Sequence, residues 1–233
     1  MKRRSLALAA LALALPLWAT AQEAVLRKNL AERMGMQQID EVRSAPISGL
    51  YEVRIGNDIY YSDAQGNYVL NGSLLDTRNK RNLTSERLEK LMAIQFDDLE
   101  LKNAFQIVRG NGKRKVAIFE DPNCGYCKRL EQDLQKIDNL TVHIFLVPIL
   151  GADSAQKSQQ IWCAANQAAT WSDWMLRGVV PQNKAICDTS PLQANLAFIQ
   201  KYRITGTPAL IFADGTRVPG AIGVEEIERL LNR

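Results

Sequence analysis

Cys124 and Cys127 enclose only Gly125 and Tyr126, and the flanking residues dictate where in a fold such a pair can sit. Val116-Ala117-Ile118-Phe119 is a short apolar run suited to a buried strand. Asp121-Pro122-Asn123 breaks that run, and Cys127, Leu130, Leu134 and Ile137 then mark one face of a helix. The pair therefore belongs to a strand-to-helix turn. There the first sulfur meets the free N–H groups and positive dipole end of the helix, which favours thiolate over thiol. The second, three residues on, is close enough to form a ring disulfide and displace whatever is bound to the first. Redox exchange is the chemistry this spacing predicts. Half of a zinc site would need two more ligands. Cys163 and Cys187 are the remaining thiols, at spacings unlike a zinc ribbon, and the single histidine, His143, falls in an apolar strand run. Neither a metal nor a cofactor is expected.

The start of the chain bears on the redox compartment. Lys2-Arg3-Arg4 precedes an apolar run from Ser5 to Trp18, and Ala19-Thr20-Ala21 places small residues at the positions a signal peptidase reads. A cleaved leader over 1–21 is expected, with the mature chain starting at Gln22 and exported. The apolar run is short of the roughly 20 residues that span a bilayer, and no later segment is apolar enough, so stable membrane insertion is not expected. In an exporting compartment thiols are oxidised unless something keeps them reduced. Two cysteines inside one motif and two further along point to two different jobs. The three basic residues of the leader carry most of the net charge of +4; from Gln22 onward the chain is nearly neutral at +1. That balance excludes the electrostatic footprint of a nucleic-acid binder or a polybasic membrane anchor.

Hydropathy patterning divides the mature chain. Residues 22–42 read as an amphipathic helix, and Tyr51, Val53 and Ile55 then alternate with charged residues before a turn at Gly56-Asn57-Asp58. Ile59-Tyr60-Tyr61 and Tyr68-Val69-Leu70 follow as short strands. A unit over 22–79 has a small core and gains by packing against a second copy. Thr84-Ser85-Glu86 opens a second helix, with Leu88, Leu91, Met92, Phe96 and Leu99 near helical spacing, expected as a linker over 80–104. From 105 to 233 strands at 116–119, 142–147 and 209–212 alternate with helical stretches, including a long one over 153–202 and a last one over 224–231. The fold class is α+β: a small α+β domain, a linker helix, and an α/β domain with a helical insert.

The run Phe119-Glu120-Asp121-Pro122-Asn123-Cys124-Gly125-Tyr126-Cys127, followed by Thr205-Gly206-Thr207-Pro208-Ala209, resembles the DsbC/DsbG family of periplasmic thiol:disulfide interchange proteins. The resemblance extends over essentially the whole chain after residue 21. It implies an N-terminal dimerisation domain and a thioredoxin-like catalytic domain. It also implies a catalytic pair Cys124/Cys127, with Gly125, Tyr126, Thr207 and Pro208 in the active-site loops and Pro208 cis, facing the pair. Ile161-Trp162-Cys163-Ala164 and Cys187-Asp188 fall where the family carries a second, structural disulfide. The implied partners are misfolded or misoxidised exported proteins and a membrane reductant of DsbD type, and the implied activity is disulfide isomerisation by a periplasmic homodimer. Two other roles stand beside it: DsbG-like protection of oxidised single cysteines, and a holdase chaperone without redox turnover. Gly125-Tyr126 and Thr207 favour the isomerase. One position departs from the broader fold: the buried acid that thioredoxins often carry six residues before the first cysteine is Ile118 here. Glu120 is the nearest acid of the same strand parity, with a proton role and a solvated strand end both open.

Overall fold

In the computed structural model the chain is described from Leu15 onward, and its side chains from Gln22. The basic start and most of the expected leader, including its cleavage site side chains, lie outside the described residues. No helix among the described residues is long and apolar enough to cross a membrane. The chain divides between Leu91 and Met92 into two compact units.

The first unit opens with α1 (Leu15–Met34). The helix expected over 22–42 stops early because Gly35 takes a left-handed φ of 68° and its N–H bonds the Ala31 carbonyl at 3.2 Å. The chain thus released becomes β1 (Glu41–Ser44), a strand its sparse apolar content did not announce. With β2 (Leu50–Ile55), β3 (Asp58–Asp63) and β4 (Val69–Leu70) it makes an antiparallel sheet in chain order. Leu26 and Leu30 of α1 pack with Val53 in a small core, as the short apolar stripe requires. A two-stranded ribbon, β5 (Leu75–Asp76) and β6 (Arg81–Asn82), leads into α2 (Leu83–Met92). Arg87 of α2 ties this helix to the sheet, reaching the buried Glu52 at 3.1 Å and Glu41 at 2.7 Å. Tyr61 and Thr84 share a buried hydroxyl–hydroxyl bond of 2.5 Å.

The linker helix expected over 80–104 ends at Met92. Beyond it come two short 3-10 turns, Phe96–Asp98 and Leu101–Asn103. The near-helical spacing of Phe96 and Leu99 has a different cause: Ile94 and Leu99 are core residues of the second unit.

That unit is a five-stranded sheet of order β11-β10-β8-β9-β7. Its strands are β7 (Phe105–Arg109), β8 (Arg114–Glu120), β9 (Leu140–Leu146), β10 (Ala209–Phe212) and β11 (Arg217–Pro219). Only β8 and β9 run parallel, joined through α3 (Gly125–Leu134); the remaining pairs are antiparallel. The helical stretch over 153–202 resolves into α4 (Ala152–Trp162), α5 (Gln167–Arg177) and α6 (Ser190–Lys201), with residues 178–189 irregular; α7 (Val224–Leu231) closes the chain. Strand parity sorts the core. Val116, Ile118, Val142, Ile144 and Leu210 face α3, Trp171 of α5 and Ile227 of α7. Ala117, Phe119, Phe145 and Ile211 face Ile199 of α6 and the 94–99 segment. Because both faces are covered, β8 and β9 read as unbroken apolar runs.

Cys163, just past α4, is joined to Cys187 in the irregular segment, 24 residues on. Beside that bond the Trp162 indole N–H donates to the Asp188 carbonyl at 2.9 Å. Replacing both cysteines by alanine is expected to lower stability by about 3 kcal/mol, the entropy of a freed loop of this length, as read by urea denaturation. Dithiol exchange at Cys124 should persist in that variant.

Candidate active site

The turn between β8 and α3 is built around one buried carboxylate. Asp121 accepts from the backbone N–H of Asn123 (2.8 Å), Ile149 (2.8 Å) and Leu150 (2.9 Å) and from the Ser154 hydroxyl (2.7 Å). Its own carbonyl accepts from the Cys124 N–H at 3.1 Å. The Trp174 indole donates to the Pro122 carbonyl at 2.5 Å, and Asn123 donates to Asp153 at 2.6 Å. The strand end, the loop after β9, α4 and α5 are thereby pinned to the residues that precede Cys124.

Cys124 then serves as the N-cap of α3, its sulfur accepting from the Cys127 N–H at 3.3 Å. The same sulfur lies 3.3 Å from the carbonyl oxygen of Thr207, to which the thiol donates. The Thr207–Pro208 peptide is cis. Pro208 is buried, and its carbonyl accepts from the Gly220 N–H at 2.8 Å. The turn around Cys124 and the Thr207–Pro208 loop, 83 residues apart in sequence, thus meet at the sulfur. Gly125 and Tyr126 are exposed on the outer side of the pair. Tyr126 lines a small cavity of about 190 Å³ with Arg129, Asp133 and the loop Ala221–Gly223.

The two sulfurs have opposite electrostatic surroundings. The Cys124 pKa is lowered to about 5, first by the hydrogen bond from the Cys127 thiol and then by the Thr207 side chain and the amides of the helix start; burial works against this. Cys127 is pushed far up, chiefly by burial, then by giving its hydrogen bond to Cys124 and by the nearby Glu120 carboxyl. Glu120 is fully buried rather than a solvated strand end. Beside it Glu131 of α3, also fully buried, accepts from the Trp171 indole at 2.9 Å. Glu131, Trp171 and the Asp121 hub were not singled out in the sequence. Asp121 carried a faint signal as the acid of an Asp-Pro-Asn turn, and Glu131 as the one acid on the apolar face of α3, four residues after Cys127. Cys163 and Cys187 bond each other and take no part in this cluster. His143 is buried in β9 with neither ring nitrogen hydrogen-bonded, its pKa lowered by burial and by Lys115. No cluster of three metal-ligating side chains occurs among the described residues.

A thioredoxin-type sheet with a dithiol at a helix start and a cis-proline loop beside it defines a thiol:disulfide oxidoreductase of the thioredoxin fold. A family model for a thioredoxin-like domain matches residues 101–233, and one for the N-terminal domain of disulfide bond isomerase proteins matches residues 18–85. The chain is 43% identical over 210 residues to the probable thiol:disulfide interchange protein DsbC of Bordetella parapertussis, spanning 90% of this chain and 74% of that one. It is 29% identical over 222 residues to the DsbC of Escherichia coli K12, spanning 92% and 89% of the two chains. The crystal structure of a disulfide interchange protein from Neisseria gonorrhoeae, 38% identical, superposes with a TM-score of 0.55 on 57% of this chain and 96% of its own. The chain belongs to the DsbC family. With that family it is a periplasmic enzyme of thiol:disulfide exchange.

Alkylation of the reduced protein by iodoacetamide should modify Cys124 with a midpoint near pH 5 rather than 9. Because the pKa is lowered, reactivity is present above the midpoint and falls away only as pH drops through it. Cys127 should stay unmodified across the same range, and peptide mapping of the alkylated protein separates the two.

Proposed function

We propose that the protein isomerises wrong disulfides in exported proteins through Cys124, acting as a homodimer. The observation that carries this reading is the contrast between the two sulfurs: a low-pKa thiolate at the helix start, and a buried partner held as a thiol. Cys124 Sγ⁻ attacks one sulfur of a client disulfide and forms a mixed disulfide, and the other client sulfur leaves as a thiolate. That thiolate attacks a second bond in the client and eventually displaces Cys124, which returns unchanged. In the competing step Cys127 attacks Cys124 Sγ, frees the client reduced, and leaves the pair oxidised. An oxidised enzyme then requires a reductant, for which a membrane protein of DsbD type is the partner we assign. The Thr207 backbone beside the Cys124 sulfur suits an extended client segment laid across the pair, in the manner of strand addition.

The homodimer is assigned to the N-terminal unit. In its support, Tyr68 and Leu70 are exposed at the β4 end of the sheet, and the core around Leu26, Leu30 and Val53 is small. Two catalytic domains joined in this way raise the effective thiol concentration around one client.

Cys127→Ala should accumulate mixed disulfides with a scrambled multi-disulfide client on non-reducing gels, and Cys124→Ala should form none. Equal trapping by both variants would reverse or abolish the assignment. In the same assay Cys124→Ala should lose reactivation of the scrambled client; retained activity would leave a holdase as the function. A chain starting at Met92, which keeps Ile94 and Leu99 in their core, should be monomeric by light scattering. It should still reduce small disulfides while reactivating the scrambled client poorly.

A further inference from the structure

Under the active-site helix lies a group of side chains that the exchange at Cys124 does not use. Glu120 ends β8 one residue beyond the Phe119–Ala209 pair, at the register position of Pro208. Its parity puts it on the α3 face of the sheet, where its carboxyl meets the Cys127 thiol and the Glu131 carboxyl. Neither Glu120 oxygen has a hydrogen-bond partner, although the residue is fully buried. Glu131 sits four residues after Cys127, so both project from the same side of α3. One Glu131 oxygen takes the Trp171 N–H and the other takes none. From β7 the half-buried Arg109 supplies the positive charge that Glu131 feels.

Two adjacent carboxyls in a dry site cannot both ionise readily, so the pair holds one proton and one negative charge. Burial pushes the Glu131 carboxyl up as well, but the Trp171 N–H, Glu120 and Arg109 oppose it and leave Glu131 the more readily ionised of the two. Burial and the neighbouring Glu131 keep the proton on Glu120, and both persist once Cys124 is bonded to a client; in the reduced protein the Cys124 thiolate adds to them. Glu120 is therefore no vacant base for the Cys127 proton, and a thiolate at Cys127 would be a second negative charge in the same pocket.

We propose that the Glu120–Glu131 pair is a brake on Cys127, holding it as a thiol while a client is linked to Cys124, so that the client's own thiolate is the favoured next attacker. This rests on the isomerase reading above and specifies how the site divides reshuffling from reduction. When Cys127 does resolve, its proton passes to water and its sulfur bonds to Cys124 Sγ. The Cys124–client bond breaks, and the client sulfur leaves with the electron pair, reduced as Cys127 is oxidised. Glu120 and Glu131 are positioning residues in this scheme, since neither touches the client.

Mixing the full reduced protein with Ellman's reagent in a stopped-flow instrument separates the two steps. The first thionitrobenzoate is released when Cys124 forms the adduct, the second when Cys127 resolves it. Glu120→Gln/Glu131→Gln should accelerate the second phase, about threefold for each unit by which the Cys127 pKa falls, because a less basic thiolate is also a weaker nucleophile. The rise of that rate with pH should move to lower pH, a displacement that a purely structural role would not produce. Glutamine keeps an acceptor for Trp171, and Glu131→Gln alone, which removes the favoured seat of the charge, provides a second and milder variant. It should accelerate resolution more than Glu120→Gln does. With the scrambled client, the accelerated variants should yield more reduced and less reshuffled product. A second phase equal to or slower than that of the unaltered protein in the double variant overturns the brake. A slowed second phase in Glu120→Gln also overturns it, by making Glu120 the proton acceptor. The first phase reports Cys124 alone, so its loss in the unaltered protein would refute the site assignment itself, separately from the brake.

Discussion

The Asp121 carboxylate is the constraint on which the active site depends. A buried carboxylate is costly unless its lone pairs are met, and here four donors from three separate stretches of chain meet them. The consequence is geometric. The end of a central strand, the loop after its parallel neighbour and the start of α4 are held to one point, directly before the residue that caps α3. Without that hub the Pro122–Asn123 turn would keep only its bonds to Trp174, Asp153 and Ser154 to fix the direction in which the helix leaves the sheet. The dipole that stabilises the Cys124 thiolate acts only within the first turn, so direction matters as much as sequence.

Strand parity then separates chemistry from support. The α3 face of the sheet carries Cys127, Glu120 and Glu131 among aliphatic side chains. The opposite face is apolar and receives α6 and the segment after Met92. His143, which like Thr141 is a polar side chain of β9 on that second face, packs edge-on against Phe96 and stays away from the thiols. Charge on one side of a sheet and hydrocarbon on the other lets the same strand, β8, both order the core and deliver an ionisable group to its end.

Much of the catalytic half was legible in the sequence because its signals are local. The apolar runs of β8, β9 and β10 are short and uninterrupted, and Cys127, Leu130 and Leu134 repeat at helical spacing. The strand-to-helix turn and its dithiol follow from those two patterns alone. What escaped reading depends on contacts distant in sequence. β1 and β7 carry few buried residues, so their alternation is faint and only pairing with β2 and β9 makes them strands. Phe96 and Leu99 mimicked helical spacing while answering to a core contributed by Phe145, Ile199 and Ile211. Glu120 could not be told from a solvated strand end, because its burial is imposed by α3 and by Glu131, eleven residues further on. Leu15–Met34 shows the same limit at the other end: a helical period says where a helix can run, and Gly35 decides where it stops.

The bridge between Cys163 and Cys187 carries an implication about maturation. Four cysteines allow three fully paired arrangements, and a catalyst of disulfide sorting must itself first be sorted. Position in the fold does this work. Once β8 and α3 pack, Cys124 and Cys127 are buried beside one another, while Cys187 stays at the surface in an irregular segment that Trp162 and Asp188 hold near its partner. In the folded chain each sulfur's partner is thus set by place: burial at the helix start for one pair, the surface of the insert for the other.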